Sequence, residues 1–193
     1  MSNLIRYAPI ALIAGFVIYL GFSNSSKDDI DLNQVLDVTV ETIHAFEESN
    51  QGQVPENEDS AFIQFAEELE INYNQAQPAI YKEPVAVAPQ QDASLIAFID
   101  KDANNNFSEG DEGLYKIEID GENSRILATD SNGAVGESRI SGSGLLTGFL
   151  LGSMLSRQRT AGVNPKSLSS KKTQTAKQAA RSRAGSGSHS RGK

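Results

Sequence analysis

The chain has 193 residues, no cysteine and a formal net charge of −8 at pH 7. That length holds one ordinary domain, and the lack of thiols excludes disulfides, thiolate metal sites and a lipidated cysteine. The charge is sharply divided: residues 1–138 carry all 25 acids and 6 of the 17 basic side chains, a net of −19, whereas residues 139–193 carry 11 basic side chains and no acid. Two such blocks face different partners. An apolar content of 38%, 7% aromatics and no tryptophan point to a modest core.

Residues 1–23 read as a transmembrane signal anchor. Arg6 precedes an uncharged run at 7–22, YAPIALIAGFVIYLGF, bounded by Tyr7 and Tyr19; with Leu4 and Ile5 it nears the roughly 20 residues that cross a bilayer, and tyrosines favour its interfaces. A cleaved signal peptide, cut near Gly21-Phe22-Ser23, is the competing reading; the long apolar run and thin basic flank favour the anchor. Arg6 before the span and Asp28, Asp29 and Asp31 after it put the N-terminus in the cytoplasm and the acidic part outside. The expected location is a bacterial inner membrane, crossed once, with most of the chain in the periplasm.

Residues 24–73 form an acidic, mostly helical segment. Leu32, Val35, Leu36, Ile43 and Phe46 share one helical face, and after a polar loop Asp59 or Ser60 caps a second helix on which Phe62, Phe65, Ala66 and Leu69 recur at three and four. Glu67, Glu68 and Glu70 read as that helix's solvated side, and His44, with no second histidine near it, as incidental. Residues 74–93, with Pro78, Pro84 and Pro89, form an extended linker in which Val85 and Val87 suit an edge strand.

Residues 94–138 carry the one motif with chemistry attached. A strand is expected at 95–99, a second around Tyr115, Ile117 and Ile119, and a third at 125–129, a three-stranded meander whose first connection is the loop. Asp100-x-Asp102-x-Asn104-x-Asn106-Phe107-Ser108-x-x-Asp111-Glu112 places oxygen-bearing side chains at every second residue. A hard cation needs that spacing: calcium takes six to eight oxygen ligands, and a twelve-residue loop supplies them from positions 1, 3, 5, 7, 9 and 12. The spacing resembles the EF-hand calcium loop over about a dozen residues, including the apolar Phe107 at position 8. It departs from that family at position 6, where Asn105 replaces glycine, at position 12, where Asp111 stands with Glu112 one place late, and in its strand flanks. The resemblance implies Ca2+ held by Asp100, Asp102, Asn104, Asn106 through its backbone carbonyl, Ser108 and Asp111 or Glu112. Residues 131–136 are expected to be flexible, ending the acidic domain near Glu137.

In the apolar segment 139–156, Gly144, Gly148 and Gly152 are spaced by four, which on a helix lets a second backbone approach closely. Its length sits at the lower limit of a span, so a membrane-lying or self-associating segment is favoured over a second crossing. Residues 157–193, rich in Ser, Arg, Lys, Gly and Ala, are expected to be a disordered basic tail. Its cations suit anionic lipid headgroups or the chain's own acidic domain; with no aromatic to stack on bases, nucleic acid is disfavoured. This glycine-spaced patch and Ser/Arg/Gly tail resemble the C-terminal part of an uncharacterised family of bacterial envelope proteins, which implies an envelope location and no known reaction.

The fold expected is α+β: an N-terminal membrane anchor helix, a small acidic domain with one or two helices and a three-stranded antiparallel meander, and a disordered tail. No paired histidines, nucleophile elbow or phosphate loop is present, so the expectation is a non-enzymatic, membrane-anchored envelope protein whose calcium-stabilised extracytoplasmic domain acts in structure or interaction. The alternative is a calcium-responsive partner-binding module.

Overall fold

The computed structural model describes residues 30–50, 58–140 and 148–185, an α+β arrangement built on one antiparallel sheet. The expected anchor at 1–23 lies outside the described residues. Among those residues no helix is long and apolar enough to cross a membrane.

Helix α1, Leu32–Ser49, begins where the Asp31 carboxylate accepts hydrogen bonds from the Asn33 and Gln34 amides at 3.0 and 3.4 Å. It buries the five apolar residues of its predicted face together with Thr39 and Thr42, whose hydroxyls donate to the Val35 and Val38 carbonyls and so leave no unmet polar group. Helix α2, Glu58–Gln75, buries Ala61, Phe62, Phe65, Ala66, Leu69 and Tyr73. The two helices meet through an edge-to-face pair, Phe46 on Phe65, with centroids 5.6 Å apart.

Beneath them lies the sheet, in the order β1 (Ala86–Pro89), β2 (Leu95–Ile99), β3 (Glu112–Asp120), β4 (Arg125–Asp130) and β5 (Val135–Arg139), each strand antiparallel to its neighbour. Alternation sorts its faces. Val87, Leu95, Ala97, Tyr115, Ile117, Ile119, Ile126 and Ala128 turn toward the helices and join one core with them. Phe98 and Ile96, and further along Leu127 and Val135, belong to two smaller clusters apart from that core.

The expected three strands are thus five. The first addition, β1, is the edge strand expected at Val85 and Val87 in the linker, where Asn74 and Glu70 of α2 satisfy the edge: Val85 N–H donates to Asn74 Oδ1 at 2.8 Å and Val87 N–H to Glu70 Oε2 at 2.9 Å. Glu70 is therefore no free member of a solvated face. The second, β5, comes from the stretch expected to be flexible; Asp130 folds it back, its amide donating to the Ala134 carbonyl and its Oδ1 accepting from the Ala134 amide, with Gly133 at φ +80° making the turn.

The C-terminal third is a correction too. Helix α3, Phe149–Thr160, buries Leu150, Leu151 and Met154 in the main core. Gly148 is its N-terminal flank and supplies no side-chain cap; the Glu47 carboxylate of α1 does so instead, accepting from Phe149 and Leu150 amides at 3.1 and 2.7 Å. A Cβ on Gly148 would stand 2.6 Å from Glu47 Cδ, so the close approach this glycine permits is to Glu47. Gly152 is exposed with nothing near its Cβ position, and Gly144 lies outside the described residues. The tail expected to be disordered is folded over its described residues, 157–185: helices α4, Pro165–Ser169, and α5, Ala176–Gly185, follow α3, and Gln174 forms an isolated bridge to Val135.

Candidate metal centre

The loop between β2 and β3 leaves the sheet after Ile99 and returns at Glu112, where Ile99 pairs with Glu112. Its flanks are strands, as the alternation required. Phe107 pins it to the sheet, edge to face on Phe98 with centroids 5.4 Å apart, so the polar residues on either side are held out from an apolar anchor.

Three carboxylates converge. Asp100, Asp102 and Asp111 each offer an oxygen within 4.8 Å of the other two. Asp100 turns the loop inward by accepting from the Asn104 and Asn105 amides at 3.3 and 2.8 Å; Asp102 accepts from the Asn104 amide at 3.2 Å and from its side chain at 2.7 Å. Ala103 and Asn105 take left-handed φ values of +56° and +55°. Asparagine tolerates that region better than most residues, so Asn105 makes the turn that glycine makes in the resembled family. The alanine has no such excuse and stores a modest strain.

Asp111 closes the loop. Its Oδ1 accepts from the Lys101 amide at 3.0 Å, and its Oδ2 from the Ser108 amide and hydroxyl at 2.8 and 3.0 Å. Burial pushes its carboxyl up, but those donors and the Lys101 charge more than offset it and hold the group below the usual carboxylate range. Glu112 is not in the cluster: it opens β3, and its carboxylate meets Lys101 Nζ at 3.5 Å. Of the two acids left open by the sequence, the shorter one reaches.

The side chains of the remaining expected ligands hydrogen-bond within the loop, bonds that do not involve the Asn106 backbone carbonyl expected at position 7. Asn104 Oδ1 accepts from the Asn106 amide at 2.6 Å, the Asn106 side chain donates to the Asn104 carbonyl at 2.8 Å, and the Ser108 hydroxyl is given to Asp111. Three convergent carboxylates on an exposed loop suit a hard cation that completes its shell with backbone carbonyls and water. Sequence reasoning missed the Lys101 amide as the partner that ties Asp111 to the loop's start; a main-chain donor leaves no mark in a side-chain pattern.

A search of protein families, of curated proteins and of solved structures finds no match to this chain.

Proposed function

We propose that this chain is a non-enzymatic, membrane-anchored bacterial envelope protein whose acidic domain is stabilised by calcium at the β2–β3 loop and serves in structure or interaction. The observation that carries the calcium reading is the convergence of Asp100, Asp102 and Asp111 within 4.8 Å. Like charges held that close repel, and a divalent cation relieves the repulsion while adding bonds. The anchoring and location rest on the sequence at 1–23 and on the charge asymmetry about it.

The loop's own hydrogen bonds favour a static role over a calcium-responsive switch. Asp111 already ties Lys101 to Ser108, so binding has little structure left to create, and a switch requires an element with two arrangements. A half-exposed site of this composition belongs to the weak range of extracellular modules, roughly 10⁻⁴ to 10⁻³ M.

Isothermal titration of the full chain with CaCl₂ tests the reading. Asp100→Ala together with Asp102→Ala removes the heat, and the wild type gains about 1.4 kcal/mol of stability at a tenfold excess of ion over Kd, through RT ln(1 + [L]/Kd). Circular dichroism of the wild type stays unchanged on adding calcium. No heat and no calcium-dependent shift in the wild-type melting temperature sinks the calcium reading, and a large change in ellipticity favours the responsive module.

A further inference from the structure

The C-terminal segment lies across the sheet's far face, and one arginine organises its seat. Arg125, buried on β4, spends its guanidinium in three directions: Nε donates to Asp120 Oδ2 at 2.7 Å, Nη1 pairs with Glu137 on β5, and Nη2 donates to the carbonyls of Leu168, Ser169 and Lys171 at 3.1, 3.2 and 2.8 Å. Those carbonyls lie at and just beyond the C-terminal end of α4, where a cation both fills orphaned acceptors and opposes the local negative potential. Asn123 adds a bond to the Ser169 carbonyl at 3.2 Å, Lys171 pairs with Glu118, and Gln174 exchanges two backbone bonds with Val135 at 2.8 and 3.0 Å.

The apolar part of this seat is small. Leu168 is buried on Leu127 and Val135, with Val163 packed beside them. A five-residue helix resting on so few aliphatics, with most of its attachment polar, belongs to the low-stability end of a structure. Its exposed cations are Lys166 and, just beyond it, Lys172, flanked by the exposed Arg159 of α3 and Lys177 and Arg181 of α5, and no acid occurs after Glu137.

We propose that residues 161–175 are a detachable latch, which an anionic bilayer surface competes off the sheet, uncovering Leu127, Val135 and the Asp120–Arg125–Glu137 cluster. The competition favours the bilayer because, among the described residues, the sheet offers the segment one direct ion pair from a lysine, Lys171 to the buried Glu118, and that carboxylate keeps Lys116 at 3.6 Å when Lys171 leaves, whereas every cation of the segment gains near an anionic leaflet. Release costs the strap few apolar contacts and leaves Arg125 still paired with Asp120 and Glu137. The proposal rests on the reading that the chain works at a membrane; because vesicles are supplied in the test, a failed latch is distinguishable from a failed anchor, which topology reporters measure separately.

The chain has no cysteine, so a single thiol reports uncovering. In Val135→Cys, alkylation by a charged, water-soluble maleimide is slow in dilute buffer or with phosphatidylcholine vesicles. It rises about tenfold when about a third of the lipid is phosphatidylglycerol, with far-UV ellipticity unchanged. Adding Arg125→Gln makes the thiol reactive without anionic lipid. Val163→Cys, on the strap itself, reads the same event should position 135 disturb β5. Equal rates with neutral and anionic vesicles, or acceleration only alongside lost ellipticity, overturn the latch. Release by single-stranded nucleic acid as effective as by vesicles at equal charge overturns the lipid assignment.

Discussion

Replacing Glu47 by alanine removes the carboxylate that caps α3 from a position 102 and 103 residues distant in sequence from the amides it serves. Both bonds are charge-assisted and partly buried, and losing a helix cap costs roughly 0.5–2 kcal/mol, with hydrogen bonds to charged groups contributing about 1.5–3. A loss of about 2 kcal/mol follows, roughly 4–8 °C in melting temperature for a chain of this size. Gly148→Ala arrives at the same damage from the other side. Its backbone at φ −61° accepts any residue, but the new Cβ, 2.6 Å from Glu47 Cδ, displaces the carboxylate. The two changes are therefore not independent: with Glu47 already alanine there is no carboxylate to displace, and Gly148→Ala costs no more than about 0.5–1 kcal/mol. Urea denaturation of the wild type, both single variants and the double gives the coupling from midpoints at constant m. Additivity within about 0.5 kcal/mol refutes the account of Gly148 as a seat for Glu47.

Two buried tyrosines with rings edge to face at 5.6 Å differ in what their hydroxyls do. Tyr73 shares a 2.7 Å hydrogen bond with Thr39, and the Tyr115 hydroxyl makes none of normal geometry; burial pushes both phenols up. Tyr73→Phe accordingly costs about 1 kcal/mol and Tyr115→Phe is neutral or stabilising, as thermal melts at pH 7 read directly. In acid, burial raises Asp92, Asp111 and Asp120, but their donors and cations, Lys116 with Ser94, Lys101 with Ser108, and Arg125 with Asn123, bring each below its ordinary value. A lowered carboxyl contributes stability that is present above the unfolded value of about 4 and lost as pH falls below it, so the melting temperature is flat near neutrality and drops below about pH 4. Asp130 runs the other way: burial raises it despite the amides of Ala134, Asn132 and Gly133, so on acidification toward pH 4 the wild type gains stability relative to Asp130→Asn, and parallel pH profiles for the two proteins contradict that assignment.

The elements legible in the sequence are those whose signal is local. The i, i+3, i+4 spacing of Phe62, Phe65, Ala66 and Leu69 marked α2, and the alternation through Tyr115, Ile117 and Ile119 marked the inward face of β3. The loop was legible for the same reason, since its turns are made by side chains reaching two to five residues along the chain. What failed was non-local. VGESR has no strand pattern, and β5 exists because β4 offers it an edge and Gly136 lets Leu32 and Leu36 of α1 come within 3.1 Å of its Cβ position. The glycine spacing at 144, 148 and 152 is equally silent about which chain approaches, and at Gly148 the approach is made by a carboxylate of the same chain.

The tail carries this furthest. Composition alone says that 157–193 has too few aliphatics to make a core, and that remains true of it in isolation. Yet a segment need not supply a core if another surface supplies the acceptors, donors and one apolar seat it lacks. The division of charge into −19 before residue 139 and +11 from there on made the acidic domain a candidate host but gave no address, because net charge acts over a Debye length and not at a residue. The address is Arg125, a cation inside the acidic block, recognising not the tail's charge but its backbone carbonyls. Long-range attraction between the blocks and short-range specificity thus come from different groups. Raising the salt concentration should therefore weaken the first while leaving the second's geometry intact, so that a latch loosened by screening still reseats in one register on dilution.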